Sequence, residues 1–182
     1  MKKILTISFS LAIGLCSFGQ KYMTQNGTIS FFSEAPIENI ESTNDQVSSV
    51  INIKTGELAF SLLMKAFVFE KALMQTHFNE KYVESEQFPK STFKGQIQDF
   101  ESLALSKEPQ DVNVKGSLTI HGVTQEVNSA GQMHLDANNH IVVQADLEID
   151  LEDYKVKIPA SVTDNISETI AIKIRMNYEK LD

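Results

Sequence analysis

The sequence predicts an all-β protein, an eight-stranded antiparallel barrel with a short capping helix. Three observations indicate this fold. Apolar and polar residues alternate over several long segments, turn-forming sequences separate these segments, and one segment has the period of a helix instead. A closed barrel of about eight strands has an interior that side chains fill or that holds one small ligand.

The clearest alternation lies in residues 141–150 and 170–178, where apolar side chains occupy every second position. Such a pattern is typical of strands with one buried face. We therefore predict that the apolar set points into the barrel and the polar set points to solvent. The inward set includes Val143, Leu147, Ile172 and Ile174, and the outward set includes Gln144, Glu148, Lys173 and Arg175.

Weaker alternation marks the other strands, and short turn sequences join several of them. Lys54-Thr55-Gly56 and His121-Gly122 have residues suited to tight turns. Alternation alone does not separate a barrel from a two-sheet sandwich. The sequence has no Trp and no cysteine pair to link two sheets, which favours the barrel. The weaker strands are predicted in residues 28–33, 47–53, 58–65, 91–100, 112–120 and 123–135.

Residues 70–82 break the alternation. Met74, Phe78 and Tyr82 are spaced four apart, and Pro89 follows. This spacing predicts a short amphipathic helix that crosses an open end of the barrel. Its apolar stripe suits either a plug that is part of the core or a lid that faces a ligand.

The first 19 residues have the layout of a secretory signal peptide. A basic start precedes an apolar stretch, and the small residues Ser17 and Gly19 come before a cleavage site at Gln20. The apolar stretch is shorter than the roughly 20 residues that a membrane anchor needs. We therefore predict a signal peptide over residues 1–19, a barrel domain over residues 20–182, and a periplasmic or secreted protein.

Cysteine and charge exclude several classes of function. Cys16 leaves with the predicted signal, and Leu15 before it is not the small residue that lipid attachment normally requires. The mature chain would then have no disulfide, thiolate metal site or cysteine nucleophile. The formal net charge of −8 becomes about −10 without Lys2 and Lys3, and such a surface repels nucleic acid and anionic membranes. We predict no nucleic-acid partner and no membrane-spanning segment in the mature chain.

The sequence has no recognisable catalytic motif. Among His77, His121, His134 and His140, no two have the i, i+4 spacing of a helical metal pair. Nucleophile-elbow and phosphate-binding glycine motifs are also absent. We predict no catalytic residues, no metal and no cofactor. His77 lies on the helical stripe, where it would either contact a ligand head group or be satisfied at the barrel mouth, and His121 is expected to be structural.

Several motifs resemble those of YceI-like proteins, in the same order along the chain. VKGSLTIHGVTQEV at residues 114–127 is similar to the strand–turn–strand signature of that family. QFPKSTFK at residues 87–94, the His77-Phe78 pair before it and DNISETI at residues 164–170 also match. The resemblance implies a lipocalin-like barrel with helical caps, export, and an elongated apolar cavity for polyisoprenoid or other long-chain lipids. It implies no catalytic residues.

Two features depart from the family pattern. The family often has Arg-Asp shortly before its helical histidine, whereas this chain has Met74-Gln75. The charged head-group contact that such a pair would provide, to a pyrophosphate for example, is therefore not expected here. The segment between the first strand and the helix is also short, so we expect a narrower or differently capped cavity.

The sequence thus predicts an exported, non-catalytic protein that holds a long-chain lipid or isoprenoid inside its barrel. The alternative is a structural or protein-interaction module of the cell envelope, in which Phe31, Phe60, Phe93 and Met176 pack the interior shut. In the first case the ligand would contact inward apolar residues and the helical stripe, namely Phe60, Leu62, Met74, His77, Phe78, Phe93, Leu118, Val143, Leu147, Ile172 and Ile174.

Overall fold

The computed structural model describes residues 21–181, so the predicted signal peptide lies outside the described residues. Strands make up most of the described chain. They are β1 Lys21–Ser33, β2 Ile40–Asn52, β3 Glu57–Leu63, β4 Val68–Phe69, β5 Lys90–Ile97, β6 Gln110–Ile120, β7 Val123–Leu135, β8 Ile141–Asp150 and β9 Thr169–Lys180.

Eight of these strands form a closed antiparallel barrel. The order around it is β1-β9-β8-β7-β6-β5-β3-β2, and pairing of β1 with β2 closes the ring. The two-residue strand β4 pairs with β2 outside this ring. The register of β1 against β2 shifts twice between Thr24 and Ile29, which is typical of β-bulges. The predicted eight-stranded barrel is confirmed.

The inward and outward faces of β8 and β9 are those predicted from the alternation. Leu147 is paired with Ile172, and Ala145 with Ile174. All four predicted inward residues are buried or half-buried, and all four predicted outward residues are exposed. The burial pattern has one irregularity, because Val142 on the outward face is also buried.

The segment predicted as one helix contains two kinds of helical turn. An α-helix, α1, spans Ala72–His77, and a π-helical segment, Phe78–Tyr82, follows it directly. The Asn79 side-chain amide donates to the Gln75 carbonyl at 2.9 Å, which is the acceptor that an α-helix offers to the Asn79 backbone N–H. Short 3-10 turns lie at Met64–Ala66, Phe100–Ser102, Glu152–Tyr154 and Ala160–Val162.

One half of the barrel interior is filled by side chains, and we call it the packed half. Two large residues lie over glycines there. A Cβ added to Gly95 or Gly116 would come within 2.5 and 2.7 Å of the Phe93 ring, and one added to Gly27 would collide with the Met176 sulfur. The missing Cβ atoms therefore let Phe93 and Met176 fold against the wall and fill the lumen. Other residues of this half are Val47, Ile51, Ile97, Val112, Val114, Met133, Ile141, Val143 and Tyr178.

Within the packed half, a hydrogen bond of Tyr178 connects β9 to β2. Its hydroxyl lies 2.7 Å from Ser49 Oγ, and Ser49 Oγ donates to the Ala59 carbonyl at 2.9 Å. Since the serine hydroxyl has one proton, Tyr178 is the donor in the first hydrogen bond. Burial raises the pKa of Tyr178 to about 12, so this phenol stays protonated at neutral pH.

Candidate ligand-binding site

The other half of the barrel, which we call the open half, encloses a cavity of about 520 Å³. Its wall consists almost entirely of apolar side chains from β1, β3, β6, β8 and β9, with α1 and the π-helical segment at one end. Leu73 and Lys71 belong to this lining and are exposed, so the cavity reaches the surface beside α1. This volume lies in the usual range for small-molecule sites of roughly 300–1,000 Å³.

The structure brings most of the predicted ligand-contacting residues to this wall. The residues that line it are Phe60, Leu62, Met74, His77, Phe78, Leu118, Leu147, Ile172 and Ile174. Phe93 and Val143 point inward but lie in the packed half, outside the cavity wall. Their predicted contact with a ligand therefore stays a prediction. Phe93 instead stacks on Phe60, with ring centroids 5.3 Å apart.

Sequence reasoning missed other parts of the wall. Ile29 and Ile149 lie within predicted strands, on the face that carries the apolar residues, and could have been found from the alternation. Ile40, Phe67, Phe69 and Val156 lie outside the predicted strands. The missed residues include Ile29, Ile40, Phe67, Phe69, Ile149 and Val156.

A cluster of four phenylalanines holds the helical segment over the cavity. Phe78 stacks on Phe31 of β1 with a centroid distance of 5.6 Å, and its ring also meets Phe67 at 5.6 Å and Phe69 at 5.0 Å. Aromatic pairs at such distances add about 0.5–1.5 kcal/mol each beyond area burial. Phe78 therefore serves both of the roles considered for the stripe, since it anchors the helix and also lines the cavity.

Buried polar residues of β1 and β2 fix the two segments that frame the mouth. Asn44 donates from Nδ2 to the Leu63 carbonyl at 3.0 Å, and Ser42 Oγ donates to the Val68 carbonyl at 2.9 Å. On the other side, Ser33 Oγ accepts from the Ser167 backbone N–H at 2.9 Å. These bonds satisfy buried groups and position the chain on both sides of the cavity opening.

His121 joins three connections at the same end of the barrel. It lies in the β6–β7 turn, where it and Gly122 have positive φ angles of 50° and 72°, as a tight hairpin turn requires. Its Nδ1 lies 3.2 Å from the Tyr154 carbonyl oxygen and its Nε2 lies 2.7 Å from Glu84 Oε2. Both oxygens are hydrogen-bond acceptors within reach of the ring nitrogens. His121 thus has the structural position expected of it.

The polar groups of the mouth differ in whether they are already paired. Lys71 Nζ forms an ion pair with Glu38, and this contact raises the pKa of Lys71 through hydrogen bonding and charge attraction. His77 and Tyr82 also line the cavity, and neither side chain has a hydrogen-bond partner among residues 21–181. Burial raises the pKa of Tyr82. His77 and Tyr82 are therefore available to a ligand, as is the side-chain amide of Asn165, which also lines the cavity and has no hydrogen-bond partner within residues 21–181.

The described residues contain no group of three or more His, Cys, Asp or Glu side chains that could hold a metal ion. The Nδ1 atom of His140, which flanks the β7–β8 turn, lies 3.4 Å from the Asp136 carboxylate.

No helix within residues 21–181 is long and apolar enough to cross a membrane.

Comparison with solved structures identifies the fold as a YceI-like, lipocalin-like barrel. A polyisoprenoid binding domain from Saccharophagus degradans, implicated in plant cell wall breakdown, has 18% sequence identity and a TM-score of 0.75 over 89% of this chain and 99% of that one. Burkholderia cenocepacia BcnA has 16% identity and a TM-score of 0.69 over 84% and 96%. The Campylobacter jejuni YCEI protein has 13% identity and a TM-score of 0.57 over 82% and 89%.

The sequence also identifies the family to which the chain belongs. The family model for the YceI-like domain matches residues 21–178, which is most of the chain. The protein therefore belongs to the YceI-like family, as the motif resemblance indicated. No curated protein matches the sequence.

Proposed function

We propose that this protein is an exported, non-catalytic lipid carrier that holds a polyisoprenoid or other long-chain apolar ligand in the open half of its barrel. The observation that supports this most strongly is the apolar cavity of about 520 Å³. An interaction module with a completely filled interior would have no such space. The ability of the Saccharophagus degradans domain to bind polyisoprenoids supports the same class of ligand.

Burial of the ligand chain accounts for binding without a polar network. Each buried methylene contributes about 0.8 kcal/mol, so a chain burying fifteen of them would gain roughly 12 kcal/mol before costs. Micromolar affinity corresponds to about 8 kcal/mol, which leaves a few kcal/mol for immobilising the ligand. The apolar wall of the open half is therefore sufficient for useful affinity.

Filling the cavity with a side chain tests the proposal. Leu147 lines the cavity, and its neighbour Glu148 is exposed on the outer face. Leu147→Trp places a large ring in the open space, and Glu148→Gln is the matched control. Displacement of a neutral fluorescent probe, N-phenyl-1-naphthylamine, by geranylgeraniol measures affinity, and thermal unfolding checks the fold of each variant.

We expect Leu147→Trp to weaken binding of the probe and the prenol by at least about tenfold. Glu148→Gln should bind as the wild type does. Equal binding by all three proteins would place the ligand outside the cavity and contradict the proposal, as would no binding by the wild type.

Export is part of the proposal, because residues 1–19 have the layout of a signal peptide. Amino-terminal sequencing of protein recovered from the periplasm or medium should begin at or near Gln20, with no acyl group. A cell-associated species that retains Met1, or one acylated at Cys16, would contradict this.

A further inference from the structure

The cavity ends at a floor in the middle of the barrel. On the side of the open half the wall includes Phe60, Leu118 and Ile174. On β9 the next inward residue after Ile174 is Met176, which is buried and lies against Gly27. On β5, Phe93 lies between its register partners Phe60 and Leu118, and its buried ring extends over Gly95 and Gly116, beyond the level of those partners. A ligand that fills the open half therefore meets Phe93 and Met176 rather than a continuous lumen.

The volume above this floor sets how much of a chain can be buried. An apolar cavity of about 150 Å³ accommodates one benzene ring. The cavity here, at about 520 Å³, has between three and four times that volume. It therefore holds about twenty carbon atoms, far fewer than the longest isoprenoid chains contain.

The charges at the mouth determine which end group fits. Lys71 is paired with Glu38, and both belong to the cavity lining. An anionic head group beside Lys71 would meet the Glu38 carboxylate as well, so the pair offers it little net attraction. His77 and Tyr82 can instead form hydrogen bonds with a hydroxyl or carbonyl group. Deeper in the wall, Ser91 Oγ already donates to the Thr119 carbonyl at 2.9 Å, so this hydroxyl has no second proton to offer a ligand.

We propose that the ligand is an uncharged amphiphile whose apolar chain has about twenty carbon atoms, with its polar end at the mouth beside His77 and Tyr82 and its apolar end at the floor formed by Phe93 and Met176. This inference rests on the proposed function. It specifies the length and end group of the ligand in the same cavity.

A series of prenols of graded length tests the length limit. Geraniol, farnesol, geranylgeraniol and solanesol have ten, fifteen, twenty and forty-five carbon atoms, and each is titrated against the wild-type protein by probe displacement. Affinity should rise by at most about fourfold per added methylene up to geranylgeraniol and then level off or fall. A further rise of tenfold or more at solanesol would overturn the length limit while leaving the carrier proposal intact. Absence of binding at every length would overturn the carrier proposal itself.

Smaller side chains at the floor should increase the prenol length at which affinity levels off. Met176→Ala removes the side chain that lies against Gly27, and Phe93→Leu is a milder change to the other floor residue. In each variant the ratio of the affinity for solanesol to the affinity for geraniol should increase by at least about threefold over the wild-type ratio. The outer-face control Lys173→Gln should keep the wild-type ratio. Variants that are folded by thermal unfolding yet keep the wild-type length profile would contradict the floor assignment.

The end group is tested with chains of equal length. Geranylgeraniol should bind at least as tightly as geranylgeranyl phosphate, and raising the salt concentration should leave the affinity of the alcohol unchanged within about twofold. In Glu38→Gln the unpaired Lys71 should improve binding of the phosphate at low salt and leave that of the alcohol unchanged. A phosphate that binds the wild type tenfold more tightly than the alcohol would overturn the assignment of an uncharged end group.

Discussion

Val143 and Leu147 occupy equivalent inward positions on β8, but their surroundings differ. Val143 is buried in the packed half, and Leu147 borders the cavity. Val143→Asp should cost more than about 3 kcal/mol of unfolding free energy, because the carboxylate would have no partner and no water. Leu147→Asp should cost about 1–3 kcal/mol, since water in the cavity can hydrate the charge. Urea denaturation measures both, and the outward control Glu148→Lys should stay within about 0.5 kcal/mol. A larger loss for Glu148→Lys than for Val143→Asp would mean that the two faces are reversed.

Tyr178 makes the stability of the packed half sensitive to alkali. Burial raises its pKa to about 12, above the ordinary value of about 10, so the folded state holds the phenolic proton more tightly than the unfolded state does. The resulting stabilisation is complete below pH 10 and is lost as the pH rises through 12. Tyr178→Phe should cost about 0.5–1.5 kcal/mol at pH 8 through the lost bond to Ser49. Between pH 8 and 11 the wild type should lose about 1 kcal/mol more than the variant. Urea denaturation measures these free energies. If the wild type and Tyr178→Phe lost equal unfolding free energy between pH 8 and 11, Tyr178 would not titrate in this way.

At the scale of elements, the phenylalanine cluster anchors α1 and the π-helical segment to the barrel. Phe78→Ala removes the ring shared by Phe31, Phe67 and Phe69 and should cost about 2 kcal/mol, below the 3–5 kcal/mol typical of a fully buried phenylalanine. Leu73→Ala on the same helix is the control, because Leu73 is 66% exposed. Hydrogen exchange should become faster in residues 72–83 of Phe78→Ala and stay unchanged in β8 and β9. Uniformly faster exchange would indicate that the cluster supports the whole barrel rather than this element.

The His121 contacts join the turn that follows the helical segment, at Glu84, to the Glu152–Tyr154 turn. His121→Ala leaves the Glu84 carboxylate and the Tyr154 carbonyl without this partner. A double-mutant cycle with Glu84→Ala should give a coupling energy of about 0.5–3 kcal/mol. Because Glu84 follows Val83 of the cavity wall, His121→Ala should also loosen residues 83–88 in hydrogen exchange. Additive effects of the two substitutions would mean that the short His121–Glu84 contact contributes nothing to stability.

At the scale of the whole molecule, the barrel and its faces were predictable because alternation is a local property of each strand. Leu147, Ile172 and their outward neighbours are where the pattern places them. The division into a packed and an open half was not predictable, because it depends on how Phe93 and Met176 lie against glycines of neighbouring strands. The π-helical turn was missed for a similar reason, since one side-chain hydrogen bond of Asn79 accompanies it.

Methyl NMR during a titration with geranylgeraniol tests the central claim most directly, that an apolar ligand occupies the open half of the barrel. The methyl resonances of Leu147, Ile172 and Ile174 should shift and saturate at one equivalent, while those of Ile97, Val112 and Met133 in the packed half should hardly move. Shifts confined to exposed methyl groups outside the cavity lining, such as those of Ile37 and Val68, would show adsorption to the surface. That result, or the absence of any saturable shift, would contradict the claim.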